Sequence, residues 1–402
     1  MHPRSHVLLK TAAWFVMAAA AVSTQAQTLK VLHGFTNSPD GAESLSGLVR
    51  DKAGNFYGTT YLGGTGAPFD GAGTIFAMTK TGKVIVLYSF CPSEPCTDGS
   101  NPSEALVVDG LSNLYGTTTT GGDSDNGVVF ELTGAGQYSV LYSFKGFSQG
   151  DGANPFYGSL WRDKKGNLFG TTPYGGTANA GTLWQLDTMG NETVLHSFTG
   201  GADGGTPQAG VISDTNGNLY GTASVGGANA VGVLFQYAPS SKQFTVLHDF
   251  DSSSADATPF SGLVTTGSIS KKTFALYGTT FYGGANGCGV VYKFENGVYS
   301  QLYSLGAKTD GYGCHPTYGS LILDTTKTFL IGTTLFGGLS GDGVIYAVGI
   351  DGSSPSSLYT FTGGADGGKP YGTLVRVKHN LYGTTESFGG SSWGTVYELI
   401  LP

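Results

Sequence analysis

Short runs in which apolar and polar residues alternate make up most of this chain. In the first full unit they cover residues 46–51, 55–60, 73–78 and 84–90. They are too short for helices and rich in β-branched and aromatic residues, which is typical of half-buried strands. Turn sequences separate them, and the one at 51–55 recurs in similar form at 163–167 and 214–218. The pattern predicts an all-β chain built from four-stranded units.

The second run of each unit has the most regular sequence, Leu-Tyr-Gly-Thr-Thr, and a Gly-Gly pair follows it. The run occurs seven times in exact or closely similar form, with its glycine at positions 58, 116, 170, 221, 278, 332 and 383. The period is therefore about 54 residues. A fixed period of this size indicates supersecondary units that stack into an array or a ring.

The order of the runs at the two ends favours a ring. After residue 26 the chain opens with a run of the fourth type, at 29–35, and it ends with a run of the third type, at 394–399. Pairing these two runs completes the last unit and removes an exposed edge, whereas open solenoids tend to have atypical terminal units. We therefore predict that residues 27–402 form a seven-bladed β-propeller of four-stranded blades, closed by pairing the N-terminal strand with the C-terminal three.

Composition agrees with a turn-rich β-protein that has a packed core. The 402 residues include 67 Gly, 4 Trp, 22 Tyr and 23 Phe, while only 12% are charged. Residues 1–26 have the features of a secretory signal peptide, because Arg4 and Lys10 accompany an apolar stretch too short to span a bilayer and small residues follow it. We expect a secreted or periplasmic protein without a membrane span once the signal is removed.

Charge and cysteine content narrow the possible partners. The formal net charge of -8 argues against nucleic acid, since that binding depends on Lys and Arg neutralising phosphates. An even number of cysteines in an exported chain favours disulfides over metal ligation. Cys91 and Cys96 would close one small loop, and Cys288 and Cys314 fall in loops expected on the same face. Two disulfides are therefore predicted.

The repeat also resembles a known family. The sequence L-Y-G-T-T-x-x-G-G, followed by G-x-V-F-x-L and V-L-Y-S-F, resembles the GloVer (Gloeo/Verruco) tandem repeat of exported bacterial proteins, over essentially all of residues 29–399. The resemblance implies a propeller and export, and it supplies no catalytic residues. Members often have a C-terminal anchoring segment, which this sequence lacks, so a soluble protein is expected.

Candidate binding residues lie in the long, variable loops between the second and third runs. In a propeller these loops share a face with the loops between blades, and variable loops on a rigid scaffold often carry function. Aromatic rings flanked by acids suit saccharides, because rings stack on the apolar sugar faces while acids accept hydroxyl hydrogen bonds. The predicted ligand-binding residues are Tyr61, Asp70, Asp123, Asp125, Tyr174, Tyr282, Phe336, Phe388 and Trp393.

Other polar residues have competing interpretations. Repeated Asp-Gly pairs, as at 98–99, 151–152, 203–204, 310–311 and 366–367, could bind calcium or sugar hydroxyls, but stabilising a turn is the more common role of this pair. Residues 122–127 are the best calcium candidate, although the closing Glu of an EF-hand loop is missing. His33, His196 and His248 occupy a position where other units have Tyr, which indicates packing. Arg50, Arg162 and Arg376 recur on the first run, where an ion pair is a simpler role than binding an anion.

The sequence leaves three kinds of function open. The favoured one is an exported, non-enzymatic module that binds a glycan or a surface protein. The alternative is a carbohydrate-active hydrolase or lyase that uses acids of the variable loop face, which would need two suitably spaced carboxyl groups. A third is a purely structural envelope component without a pocket. Two non-repeat acids and a base close to the axis would favour an enzyme.

Overall fold

Seven antiparallel sheets surround a central axis in the computed structural model, which describes residues 27–66, 71–79, 81–251, 256–266, 274–306, 313–316 and 318–402. Each sheet has four main strands, and we number the blades 1 to 7 in chain order. The prediction of a seven-bladed propeller is confirmed. The signal peptide predicted for residues 1–26 lies outside the described residues.

The four main strands of each blade are given from the axis outwards. Blades 1 to 3 consist of Val49–Arg50, Phe56–Thr60, Thr74–Met78 and Val84–Ser89; Val107–Val108, Leu114–Thr118, Val128–Leu132 and Tyr138–Ser143; and Trp161–Arg162, Leu168–Thr172, Thr182–Leu186 and Glu192–Ser197. Blades 4 and 5 consist of Ile212–Ser213, Leu219–Ala223, Val233–Ala238 and Gln243–Asp249; and Val264–Thr265, Ala275–Thr280, Val290–Glu295 and Val298–Ser304. Blades 6 and 7 consist of Ile322–Leu323, Phe329–Gly337, Val344–Gly349 and Ser356–Thr360; and Val375–Val377, Asn380–Thr385, Thr395–Ile400 and Thr28–Gly34.

A few short elements decorate the loops. Gly152–Ala153 pairs with Tyr174–Gly175, Asp256–Ala257 pairs with Tyr282–Gly283, and Gly313–Pro316 joins the second strand of blade 6. Phe147–Gln149 forms one turn of 3-10 helix. Within the described residues, no helix has the length and apolar character needed to cross a membrane.

The ring closes as the sequence predicts. Thr28–Gly34 pairs antiparallel with Thr395–Ile400 and becomes the outer strand of blade 7, with Leu29 opposite Leu399. Phe35, which directly follows this strand, is fully buried. The Thr384 hydroxyl of blade 7 also donates to the Ser46 carbonyl of blade 1 at 2.7 Å. The two ends of the chain therefore share one sheet, and blade 7 has four main strands like the other blades.

Equivalent threonines also join other blades near the axis. The Thr59 hydroxyl donates to the Glu104 carbonyl of blade 2 at 3.4 Å, and the Thr171 hydroxyl donates to the Ala209 carbonyl of blade 4 at 2.9 Å. The repeated Thr-Thr pair of the sequence thus provides hydrogen bonds between blades as well as β-propensity.

The first strands are shorter than the sequence predicts. The run at 46–51 suggested a strand of six residues, but only Val49–Arg50 is assigned to it. The preceding residues turn towards the loop face, and the Ser46 hydroxyl accepts a hydrogen bond from the Thr59 backbone N–H at 3.1 Å. A side-chain hydrogen bond replaces the backbone ladder there, because the space close to the axis is crowded by seven converging segments.

In the part of the chain that the structure describes, the Asp of each Asp-Gly turn contacts the recurring His or Tyr; the pair at 310–311 lies outside the described residues. The Tyr142 hydroxyl donates to Asp151 at 2.7 Å, and the His196 ring lies 3.0 Å from the Asp203 carboxylate. The same acids accept backbone N–H groups of their own loops, such as that of Lys145 on Asp151. The His196 ring stacks on Phe244 of the next blade at 3.8 Å, and burial lowers its pKa. These contacts agree with packing and turn formation rather than with catalysis.

Two further predictions have clear structural counterparts. Disulfides join Cys91 to Cys96 and Cys288 to Cys314, so the predicted pairings are confirmed. The Arg162 guanidinium lies 5.0 Å from the Tyr115 ring centroid and 3.9 Å from the Asp109 carboxylate of the preceding blade. It therefore contacts the seam between two blades, in agreement with the ion-pair interpretation.

Candidate functional site

Seven equivalent residues surround the axis on the loop face, and we call this ring the axial mouth. Each ends a loop between blades, has a φ between 51° and 59°, and donates its backbone N–H to a carbonyl of the preceding blade. The ring closes with the bond from Glu43 N–H to the Trp393 carbonyl. Its members are Glu43, Asn101, Asn154, Thr206, Thr258, His315 and Lys369.

The asparagines of the mouth hold the neighbouring loops. The Asn101 side chain donates to the Tyr61 carbonyl at 3.1 Å, and the Asn154 side chain donates to the Thr119 carbonyl at 3.0 Å. Asn is common in this left-handed backbone conformation because its short polar side chain makes such local bonds. Glu43, His315 and Lys369 depart from the Asn or Thr of the other blades, and their side chains bring ionisable chemistry to the mouth.

Two carboxyl groups flank a lysine where blades 7 and 1 meet. Lys369 Nζ lies 3.6 Å from Glu386 Oε2. Burial and the negative charge of Glu386 raise the pKa of Glu43, and the charge of Lys369 partly offsets this. Burial likewise raises the pKa of Glu386 against the effect of Lys369. When both are ionised, Glu43 and Glu386 leave a net negative charge beside Lys369 at a partly buried position. Such a position favours a ligand that donates hydrogen bonds.

Three tyrosines cover the axis beside these acids. The Tyr157 and Tyr318 rings stack with centroids 3.8 Å apart, and the Tyr371 ring is parallel to both, at 5.8 Å and 5.9 Å. Burial, followed by the charge of Glu386, raises the pKa of Tyr371 to about 12, so its hydroxyl stays protonated and can donate. A cavity of about 20 Å³ adjoins the three rings, which is room for one water molecule. The three tyrosine rings therefore form a shallow floor beneath the axial mouth.

A second aromatic group surrounds His315 at the seam of blades 5 and 6. Its ring stacks on Phe281 with centroids 4.6 Å apart and meets Tyr282 at 5.4 Å and Phe336 at 5.8 Å. Half of the Tyr282 surface is exposed. The structure thus brings two predicted ligand-binding residues, Tyr282 and Phe336, together around a histidine.

The remaining predicted residues are spread over the loop face. Tyr61 is half-buried at the mouth, and burial and the charge of Glu43 raise its pKa. Phe388 and Trp393 pair through a backbone bridge in blade 7. Tyr174 is half exposed in blade 3, and no ring contact joins it to the others in the described part of the chain. Asp70 lies outside the described residues.

In the calcium candidate at 122–127, one carboxylate already accepts a backbone hydrogen bond within its own loop. Asp125 accepts the Gly121 N–H at 2.8 Å and so closes its own loop, while Asp123 is exposed. Among the described residues, no group of three or more His, Cys, Asp or Glu side chains could hold a metal ion. Calcium binding by this loop stays an untested prediction.

Sequence reasoning missed the residues that meet at the axis: Glu43, Tyr157, Tyr318, Lys369, Tyr371 and Glu386. A signal was present in the sequence. In six units a Pro directly follows the mouth residue, and in four of these the mouth residue is Asn or Thr. The exceptions are His315 and Lys369. Comparing equivalent positions across the units, instead of looking for motifs, would have singled out Lys369 and Glu43.

Comparisons with known proteins agree with the fold. The Gloeobacter/Verrucomicrobia repeat family matches residues 70–274 and 266–401. No curated protein has a significantly similar sequence. An oligogalacturonate lyase from Vibrio parahaemolyticus is similar in structure, with a TM-score of 0.56 and 11% identity, over 94% of this chain and 97% of that one. A protein described as a putative 6-phosphogluconolactonase from Bacteroides uniformis has a TM-score of 0.47 and 15% identity, over 77% and 82%.

Proposed function

For this chain, which belongs to the Gloeobacter/Verrucomicrobia repeat family, we propose a role as an exported binding module whose axial mouth receives a saccharide. The observation that carries the proposal is the convergence of Glu43, Glu386 and Lys369 on a floor of parallel tyrosines. Sugar rings present an apolar face to aromatic rings, and their hydroxyls donate to carboxylates and accept from lysine. The site supplies both kinds of contact within one shallow surface.

Export is part of the proposal and has independent support. Two disulfides are typical of proteins from oxidising compartments. A surface-protein ligand is the competing partner for the same mouth. Isothermal titration of the mature protein with a panel of oligosaccharides distinguishes the two, because a protein-only receptor gives no heat with any saccharide.

The first test replaces Tyr61 by Ala. Loss of its ring at the edge of the mouth is expected to weaken saccharide binding about tenfold, in line with about 1.4 kcal/mol per decade of affinity. Met189→Ala is the control, because Met189 is highly exposed in a turn on the opposite face and is expected to bind as the wild type does. Equal affinities of the Tyr61→Ala variant and the wild type would refute the role of the mouth.

A carbohydrate-active hydrolase or lyase is the second candidate, and one observation favours it. Burial raises the pKa of both Glu43 and Glu386, the direction that suits a general acid, and Lys369 lies beside Glu386. The similarity to an oligogalacturonate lyase concerns the fold alone. Product analysis after prolonged incubation with a bound oligosaccharide decides the question. Turnover lost in the Glu386→Gln variant would identify an enzyme, and intact saccharide would support the binding module.

A further inference from the structure

A cavity of about 770 Å³ opens on the face opposite the loops, at the seam of blades 3 and 4. This face carries the turns between first and second strands, and we call it the turn face. Comparable seam cavities between blades 1 and 2 and between blades 4 and 5 have volumes of about 320 Å³ and 210 Å³. The cavity at the seam of blades 3 and 4 thus has the largest volume of these three, and this volume is typical of a small-molecule site.

Trp161 lines this cavity and departs from the repeat. It occupies the first residue of the first strand, where the other six blades have a β-branched aliphatic residue: Val49, Val107, Ile212, Val264, Ile322 and Val375. Its ring is half-buried, with its centroid 5.1 Å from that of Phe169. Since an aliphatic residue is sufficient for the fold at six equivalent positions, the fold does not require this indole.

A second cavity nearer the axis shares the same tryptophan. Trp161 also lines an axial cavity of about 190 Å³, whose lining includes Tyr157 and Tyr318. These are two of the rings that form the floor of the axial mouth, seen here from the opposite side. Trp161 therefore borders both the cavity on the turn face and the one that contains the tyrosine pair.

Neutral polar groups dominate the rest of the lining. Gln185 of blade 3, Asn216 of blade 4 and Thr265 of the adjoining blade 5 line the cavity together with other amides and hydroxyls. The Thr265 hydroxyl is buried and has no hydrogen-bond partner among the described residues. An unsatisfied buried hydroxyl costs stability unless a water or a ligand pairs with it.

The two acids of the lining are already occupied. Asp163 accepts the N–H groups of Lys165 and Asn167, and Asp214 accepts those of Asn216 and Asn218. Lys164 and Lys165 are exposed at the rim. The inner polar surface is therefore made mainly of uncharged donors and acceptors.

We propose that the cavity between blades 3 and 4 is a saccharide-binding site, separate from the axial mouth, in which a sugar ring stacks on Trp161. The Thr265 hydroxyl and the Gln185 and Asn216 amides pair with sugar hydroxyls. An apolar ring face and a rim of hydroxyls on the ligand match an indole surrounded by neutral polar groups.

The test uses Trp161→Val, which restores the residue found in other blades. Cellotetraose and trigalacturonate serve as a neutral and an acidic probe, and binding is followed by tryptophan fluorescence and by calorimetry. The wild type is expected to bind at least one probe saturably, with a fluorescence change that Trp161→Val abolishes and an affinity that it lowers about tenfold. Thr265→Val, which removes only the hydroxyl, is expected to weaken binding without changing the fluorescence of the free protein.

The outcomes separate this proposal from that for the loop face. Tyr61→Ala leaves the Trp161 response unchanged if the two sites are distinct, whatever it does at the axial mouth. No saturable binding of either probe at millimolar concentration, or equal affinity in the wild type and in folded Trp161→Val and Thr265→Val, overturns the proposal. Binding of trigalacturonate alone, lost in Trp161→Val, supports it and assigns Lys164 and Lys165 to the acid groups of the sugar.

Discussion

Glu104 of blade 2 is a buried acid at a position where the other blades have small residues. Its equivalents are Ser46, Gly158, Ala209, Ser261, Gly319 and Gly372. Only 2% of its surface is exposed, and neither carboxyl oxygen has a well-oriented hydrogen-bond partner among the described residues. Burial raises the pKa of Glu104 to about 8, despite the opposing effects of the Thr117 hydroxyl and the Gly158 N–H. The folded protein therefore holds a proton that the unfolded chain releases near pH 4.5.

The pH dependence of stability follows from this difference. The folded-state pKa is raised, so the contribution of Glu104 is fully present below about pH 4.5 and is lost as the pH rises through about 8. Glu104→Ser should therefore become increasingly more stable than the wild type between about pH 5 and pH 9. The gain reaches several kcal/mol at the upper end, because one pKa unit corresponds to about 1.4 kcal/mol. Urea unfolding at each pH measures it.

Serine at position 104 is expected to fit the fold, because two other blades have serine at the equivalent position. Ser46 and Ser261 already occupy this position and bond to the backbone of Thr59 and Thr279, so the replacement fits the local fold. A stability difference that is the same at every pH would mean that the pKa of Glu104 is the same in the folded and the unfolded chain.

At the scale of the strand, the glycine of Leu-Tyr-Gly-Thr-Thr is required by the ring that covers it. Gly116 pairs with Phe130 of the third strand, and a Cβ added at Gly116 would lie 2.5 Å from Phe130 Cζ. The same holds in every blade, where an aromatic residue of the third strand lies over the glycine: Phe76, Phe130, Trp184, Phe235, Tyr292, Tyr346 and Tyr397. The repeat thus places a large ring into a space left by a missing side chain.

Gly116→Ala is therefore expected to destabilise the protein by about 1–3 kcal/mol, the usual cost of overpacking a close-packed core. Thermal unfolding followed by circular dichroism measures the loss. Gly390→Ala is the matched control, because a Cβ there has no atom within 4 Å, and it should change little. If the two variants had equal stability, contact with Phe130 would not explain the repeated glycine.

At the scale of the whole molecule, stability depends on closing the ring with the first strand. Thr28–Gly34 covers the outer edge of Thr395–Ile400, and fully buried Phe35 packs in a core cluster with Leu48 and Phe76 of blade 1 and Val396 of blade 7. Removing the strand would expose the edge of blade 7 and leave a cavity between the last blade and the first.

A chain that begins at residue 36 is expected to be less stable by more than about 3 kcal/mol, since loss of a buried Phe side chain alone costs about that much. Chemical denaturation, compared with a chain that begins at residue 27, measures this. A synthetic peptide of residues 27–36, added in excess, should restore much of the loss by pairing with Thr395–Ile400. Unchanged stability of the shortened chain would contradict a ring that depends on this strand.

The fold could be predicted from the sequence alone, because strand alternation, turn residues and the period are local or repeated signals. Seven copies of one pattern, and the mismatch in strand type between the two ends, were sufficient to predict the blades and the closure. The disulfide pairing could be predicted from the same order of strands and loops, because it placed Cys288 and Cys314 on one face.

Which side chains meet could not be predicted from the sequence and became visible in the folded chain. Glu43 and Glu386 stand near opposite ends of the chain and converge because closure brings blade 7 beside blade 1. Tyr157, Tyr318 and Tyr371 stack because their segments reach the axis from three different blades. Trp161 looks like an ordinary core residue in the sequence, and its exposure to a cavity depends on the width of one seam. Such convergence depends on distances between blades, which no local pattern encodes.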